Sequence, residues 1–210
     1  MTLAHDNDGL FETAHNALLF AFNFSNEQYD RPLMNRYADD PVSYVSKELS
    51  GMDGAGQAGI IMSRLMGLPP LYQYIIFAKY APQVIKCDCD RACCRGYRDN
   101  RLWLAAISEI SSTALREALS GCISHRVLRD GIVKKLFERK KAKHKIVLSD
   151  LAERCGVPQR TALDQSAKIR RWYHGANATK NHEAIQGHVQ RAELLAENLF
   201  ESCGIVKVLD

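Results

Sequence analysis

Leu148-Ser-Asp-Leu-Ala-Glu-Arg-Cys-Gly-Val-Pro-Gln-Arg-Thr-Ala-Leu-Asp-Gln-Ser-Ala-Lys-Ile-Arg-Arg-Trp-Tyr-His174 holds two apolar repeats of helical period, separated by a glycine and a proline. Ser149 stands where a side-chain oxygen can cap a first helix that buries Leu148, Leu151 and Ala152. Ala152 is small where two crossing helices must come close. Gly156 suits a tight turn, Val157 packs inward, and Pro158 opens the next helix at a position that tolerates its missing N–H. A second helix is expected over 158–173, with Ala162, Ser166 or Ala167, Ile169 and Tyr173 facing the core. The stretch reads as a helix-turn-helix. It sets the expected fold as all-α: a helical bundle with a C-terminal helix-turn-helix and a small cysteine-rich loop.

The same spacing leaves Gln159, Arg160, Thr161, Asp164, Gln165 and Lys168 facing out. In a major groove, an arginine near the start of such a helix bonds guanine edges and a glutamine bonds adenine edges. Lys168 and Arg171, further along, are placed to hold phosphates. The competing reading is a helical hairpin used only for packing or protein contact.

Charge favours the first reading because it is unevenly spread. The whole chain is +4, but residues 1–85 sum to −4 and residues 125–175, with 14 Lys/Arg against 5 Asp/Glu, to +9. Much of that charge lies in Lys134-Lys-Leu-Phe-Glu-Arg-Lys140-Lys-Ala-Lys143-His-Lys145. Lys140 and Lys143 can neutralise phosphates irrespective of base sequence. A solvated helix face would look similar in isolation.

At 210 residues and 46% apolar content the chain can bury one good core, or one core and a small module. The longest wholly apolar run, Ala17-Leu-Leu-Phe-Ala-Phe22, is too short to span a bilayer, and the first dozen residues carry Asp6, Asp8 and Glu12 without Lys or Arg. Seven cysteines, four of them crowded together, suit a reducing compartment and a metal site better than a secreted disulfide framework. A cytoplasmic location is expected.

Four segments are expected: an N-terminal helical region over 1–85, a cysteine-rich loop with basic helices over 86–145, the helix-turn-helix over 146–175, and a C-terminal helix over 176–210. Phe11, Ala14, Leu18, Ala21 and Phe22 form the first apolar stripe. Asp40-Pro41 signals a short helix ending near Gly51, and Asp53 caps one over 54–66 that buries Ile60, Ile61 and Leu65. Helices over 71–80, 102–119 and 127–141 follow. The last is expected from Ala184 or earlier to Glu201, with Ile185, Val189, Ala192, Leu195 or Ala196, and Leu199 on one face. That stripe suits core packing, or a seam in a homodimer on DNA.

Gly54-Ala-Gly56-Gln-Ala-Gly59 fits the dinucleotide-binding pattern by letter, but no buried strand precedes it. The glycines are read as places where a neighbouring helix comes close. Cys87, Cys89, Cys93 and Cys94 lie within eight positions and can share one structural zinc ion, with His125, His144 or Cys122 as an alternative fourth ligand. The alternative is a set of reduced cysteines in a turn. Cys155 reads as a buried thiol of the turn. No phosphate loop, paired carboxylates or nucleophile context is found, so enzyme activity is not expected.

With these residues in view the chain resembles the short type of late-gene antitermination protein Q of lambdoid phages. The resemblance is carried by Asp53 to Leu65, with its Ile-Ile-Met-Ser-Arg-Leu65 ending, by Leu71-Tyr-Gln-Tyr-Ile-Ile-Phe-Ala-Lys-Tyr80, and by a helix-turn-helix at Leu151 to His174 that resembles region 4 of sigma factors. These cover roughly 50 to 60 residues in matching order. An N-terminal region of about fifty residues, the 86–145 insertion and the C-terminal helix depart from the family pattern. The resemblance implies a protein that binds double-stranded DNA at a late promoter, joins bacterial RNA polymerase and its sigma factor, and lets polymerase read through terminators. It implies DNA reading by Gln159, Arg160, Thr161, Asp164, Gln165 and Lys168. A promoter-binding activator or repressor, dimeric on a palindromic site, is the alternative, and a protein adaptor that never touches DNA is another.

Overall fold

The computed structural model describes residues 9–27, 52–87, 89, 96–138, 145–178 and 183–207. Among them the chain is mostly helical, as expected, with eight helices and two small antiparallel hairpins. The helices are α1 (Ala14–Glu27), α2 (Met52–Leu65), α3 (Pro70–Tyr80), α4 (Arg101–Glu117), α5 (Arg126–Leu136), α6 (Leu148–Arg154), α7 (Gln159–His174) and α8 (His188–Ser202). Strands β1 (Val84–Lys86) and β2 (Tyr97–Asp99) make one hairpin; β3 (Gly175–Ala176) and β4 (Ile185–Gln186) make the other. No helix of the described residues is long and apolar enough to cross a membrane.

α3 is the centre of the packing. Proline at its start supplies the fixed φ a helix needs and Gln73 holds the preceding turn, its Nε2 donating to the Met66 and Leu68 carbonyls at 2.8 and 2.5 Å. Ile75, Ile76, Phe77, Ala78 and Tyr80 are all buried, so the helix has core on most of its circumference. α4 covers one side with Trp103, Ala106, Ile107, Ile110 and Ala114, and the Trp103 indole donates to the Ala78 carbonyl at 3.1 Å. α8 covers another through Ala192, Ala196 and Phe200. Side chains the size of Ile110 and Phe200, fully buried, each stabilise the fold by about 1.5–3 kcal/mol. Small alanines at the crossings let the helix axes approach.

α1 packs on α2; Ala14, Ala17, Leu18 and Ala21 are buried on the first and Ala58, Ile61 and Leu65 on the second. The two ends of the described chain meet beside them. Phe11 donates to the Ile205 carbonyl at 3.0 Å and accepts from Lys207 N at 3.1 Å, and its ring lies 5.3 Å from Phe20. Buried residues from α1 through the segment after α8 belong to one hydrophobic core.

Several expectations change on contact with the structure. Ile60 is exposed, not buried, and Gly56 and Gly59 face open space: a Cβ at either would meet nothing within 4 Å. Those glycines are not packing devices. α8 begins at His188 because Ile185 and Gln186 are drawn into β4, where Ile185 pairs with Ala176 and stays exposed. Leu199 is half-buried and Phe200 takes the core position. The helix expected to end near Gly51 lies outside the described residues, as do residues 139–144.

Candidate nucleic-acid interface

α5, α6 and α7 pack against one another, and α5 meets α6 closely at a glycine. Gly131 on α5 faces Leu151 on α6, and a methyl added there would run into the leucine side chain. Leu151 and Ala152 are buried in consequence. α6 starts without the expected cap: Val147 is the N-cap residue, and Ser149 Oγ donates instead to its neighbour Asp150 at 3.0 Å. Asp150, in the first turn, supplies favourable negative charge near the amino end of the helix. After α6 the chain turns over 155–158. Gly156 takes φ 63°, a left-handed conformation costly for other residues, and Val157 N donates back to the Ala152 carbonyl at 3.0 Å. Pro158 sits just before α7, its carbonyl accepting from Ala162 N at 3.1 Å.

α7 buries Ala162, Gln165, Ile169 and Tyr173, a stripe at steps of three, four and four. Gln159, Arg160, Asp164, Lys168 and Arg171 are exposed and Thr161 is half-buried. Gln165 is the correction. It is 4% exposed, donates from Nε2 to the Ile123 carbonyl at 2.9 Å and accepts from Ser124 Oγ at 3.0 Å. Both ends of its amide are satisfied inside the protein, so burial is tolerated and the side chain is withdrawn from any ligand on the outer face. Ser166 is half-buried and Ala167 exposed, because Gln165 fills the inward position expected of one of them.

One edge of α7 is fastened to the end of α4 and the connection after it. Gln165 binds Ile123 and Ser124, Lys168 Nζ donates to Cys122 Sγ at 3.1 Å, and Trp172 Nε1 donates to Glu117 Oε2 at 2.8 Å. His188 at the start of α8 lies 4.6 Å from the Trp172 ring and 3.4 Å from the same carboxylate. Burial holds the His188 pKa below the usual histidine range and Arg191 adds to this, against the opposing pull of Glu117. His174 is lowered too, by burial and then by Arg170, so it is neutral at pH 7 and adds no charge to the outer face.

Cations dominate that face. Arg160, Lys168, Arg170 and Arg171 are exposed along α7 with Asp164 among them, and Arg154 is exposed at the end of α6. Two lysines of the basic run have local tasks: Lys135 Nζ donates to the Ile146 carbonyl at 2.9 Å, and Lys134 lies 6.0 Å from the centre of the Trp103 ring. Glu138 accepts from Ile146 N, so both flanks of the intervening segment are held together. Lys140 and Lys143 lie outside the described residues.

Of the expected zinc ligands, Cys87 is half-buried and Cys89 exposed, while Cys93 and Cys94 lie outside the described residues. Cys87 N donates to the Gly96 carbonyl at 2.9 Å, extending the β1–β2 pairing by one step and bracketing residues 88–95. Cys122 is engaged by Lys168, and His144 lies outside the described residues. No group of three or more His, Cys, Asp or Glu among the described residues is arranged to share a metal. Cys155 is half-buried in the turn.

Away from α7, two open clefts of about 400 and 300 Å³ flank the Lys79–Glu193 ion pair. Tyr80, hydrogen-bonded to His15 at 3.0 Å, is pushed up to about 12 by burial and by Glu193, and Tyr173 is raised further by the same causes. Both phenols stay protonated at neutral pH and serve as rings with polar tips. Sequence reasoning missed the fastening of α7 to the α4–α5 connection: Ser124, Cys122 and Glu117 are far in sequence and belong to no motif. No protein-family model matches this chain, and no curated protein or solved structure matches it either.

Proposed function

We propose that the protein binds double-stranded DNA through α7 and acts as a transcription antitermination factor, recruiting to bacterial RNA polymerase and its sigma factor rather than catalysing a reaction. The observation that carries this reading is the outward face of α7. Arg160, Lys168 and Arg171 stand exposed on a helix that follows a tight turn, within a segment of net charge +9. Arginine offers a two-pronged donor for guanine, and the later cations suit phosphates on either side of a groove. Asp164 among them would reject a phosphate and accept from a cytosine amine, which points to base edges rather than backbone alone. Gln159 and Thr161 flank the start of the reading face. Lys140 and Lys143 would add charge that does not discriminate sequence.

Antitermination itself rests on the ordered resemblance of three sequence stretches. It is tested by transcription in vitro from a template bearing the duplex the protein selects beside a promoter, followed by a terminator. Added protein should raise readthrough on that template and not on one with the duplex scrambled. Unchanged readthrough with retained DNA binding would reject antitermination and favour an ordinary activator or repressor. The hairpin that brackets the cysteines would suit a structural zinc on Cys87, Cys89, Cys93 and Cys94. Zinc measured at one equivalent per chain, lost in a Cys87→Ser, Cys89→Ser variant, is the expected result; no zinc in the purified protein would remove that proposal.

A further inference from the structure

Ile123 is 98% exposed, the barest large apolar side chain among the described residues. Single exposed apolar residues are ordinary on protein surfaces. What sets this one apart is how its backbone is held. The buried Gln165 amide grips the Ile123 carbonyl and the Ser124 hydroxyl, and Lys168 reaches Cys122. Three consecutive loop residues are therefore fixed to one edge of α7, the edge that carries Lys168 next to the outward Arg160, Asp164 and Arg171. Three residues further on, at the start of α5, Arg126 exposes 76% of its side chain while its Nε lies 3.6 Å from Asp130. A polar residue of the helix interior is spent on presenting an isoleucine to solvent.

We infer that Ile123 is a second DNA-reading element, and that its partner is the methyl group of a thymine at the margin of the site read by α7. The inference rests on the DNA-binding reading of α7 above. The major groove is lined with hydrogen-bond donors and acceptors, and the thymine C5-methyl is the apolar feature a side chain such as this can recognise. The cations around the loop complement the phosphates that flank such a base. Gln165 is then a positioning residue: it touches no DNA and sets where Ile123 stands.

The test uses the full chain and a duplex selected by it from a random pool. Each thymine is replaced in turn by deoxyuridine, which removes the methyl alone. Wild-type protein should lose roughly fourfold in affinity at one position, the factor expected for one methyl-sized apolar group. Ile123→Ala should bind the thymine duplex about as weakly as wild type binds that deoxyuridine duplex, and should be indifferent to the replacement. Because the side chain is bare, Ile123→Ala should melt at the wild-type temperature. Gln165→Leu, which removes both loop hydrogen bonds, should lose the methyl dependence while keeping its dependence on Arg160. Ile123→Ala with wild-type affinity, or with undiminished methyl sensitivity, overturns the inference and leaves DNA reading by α7 intact. Wild-type protein that selects no duplex at all overturns both.

Discussion

α2 and α7 are both surface helices with one buried stripe, and their outer faces are opposites. α2 shows Gly56, Gly59, Ile60 and Ser63 to solvent, small or apolar, with Arg64 exposed beside them. α7 shows Arg160, Asp164, Lys168 and Arg171. The inward stripes of the two, Ala58, Ile61 and Leu65 against Ala162, Ile169 and Tyr173, are similar in character. Packing therefore explains the inward faces of both and says nothing about either outer one. A face that shows Arg64 among small and apolar residues offers a polyanion little, whereas one with Arg160, Lys168, Arg170 and Arg171 against a single carboxylate, Asp164, is fitted to one.

The largest effect should come from the inward side of α7. Ile169→Ala, at a site with no exposure, should cost about 2–5 kcal/mol in urea or thermal unfolding. A cost under about 0.5 kcal/mol, as for a surface site, would mean that α7 is not seated as described. Next comes its outer side. Arg160→Ala should leave stability unchanged and weaken binding to the selected duplex by about 1–3 kcal/mol, with relaxed preference at one base pair. Arg171→Ala should weaken all duplexes alike and reduce the salt slope by about 1. If these two variants behave identically, the outer face holds phosphates and does not read bases.

On α2 the same surgery should run the other way. Gly59→Ala adds a methyl into open space within a helix and should stabilise the protein by roughly 0.5–1 kcal/mol, seen as a higher melting temperature. Destabilisation would show that something packs on that face. The smallest effect concerns pH at the α7–α8 contact. His188 has its pKa depressed by burial, so its contribution to stability is fully present above 6.5, the unfolded value, and is lost as pH falls below that toward the lower folded value. His188→Phe should flatten the decline in melting temperature between pH 7 and pH 5. An unchanged slope would assign the decline to other groups.

These contrasts also mark where the sequence was legible. The apolar period located α3, α4 and α7, and glycine and proline located the turn before α7, because those signals are local. Gln165 misled because an amide reads as outward when its partners, Ile123 and Ser124, lie some forty positions away. Gly131 has no local sign of a close approach between helices, since the closeness depends on Leu151 across the interface. Gly56 and Gly59 carried the reverse error: their spacing suggested a neighbour that is not there. Strands of two or three residues, such as β3 and β4, have no period to read at all. They exist because the chain must return from α7 to α8, and they shorten α8 at its start.

The function proposed for the protein requires that the outer face of α7 recognise a base sequence. The most direct measurement is the affinity of wild-type and Arg160→Ala protein for the duplex selected from a random pool and for its scrambled version, at one fixed salt concentration. Wild type is predicted to prefer the selected duplex by about a thousandfold or more, and Arg160→Ala to lose roughly one to two orders of magnitude of that preference while its binding to scrambled DNA changes little. Equal affinity of the wild-type protein for both duplexes, or a preference untouched by the substitution, would contradict it.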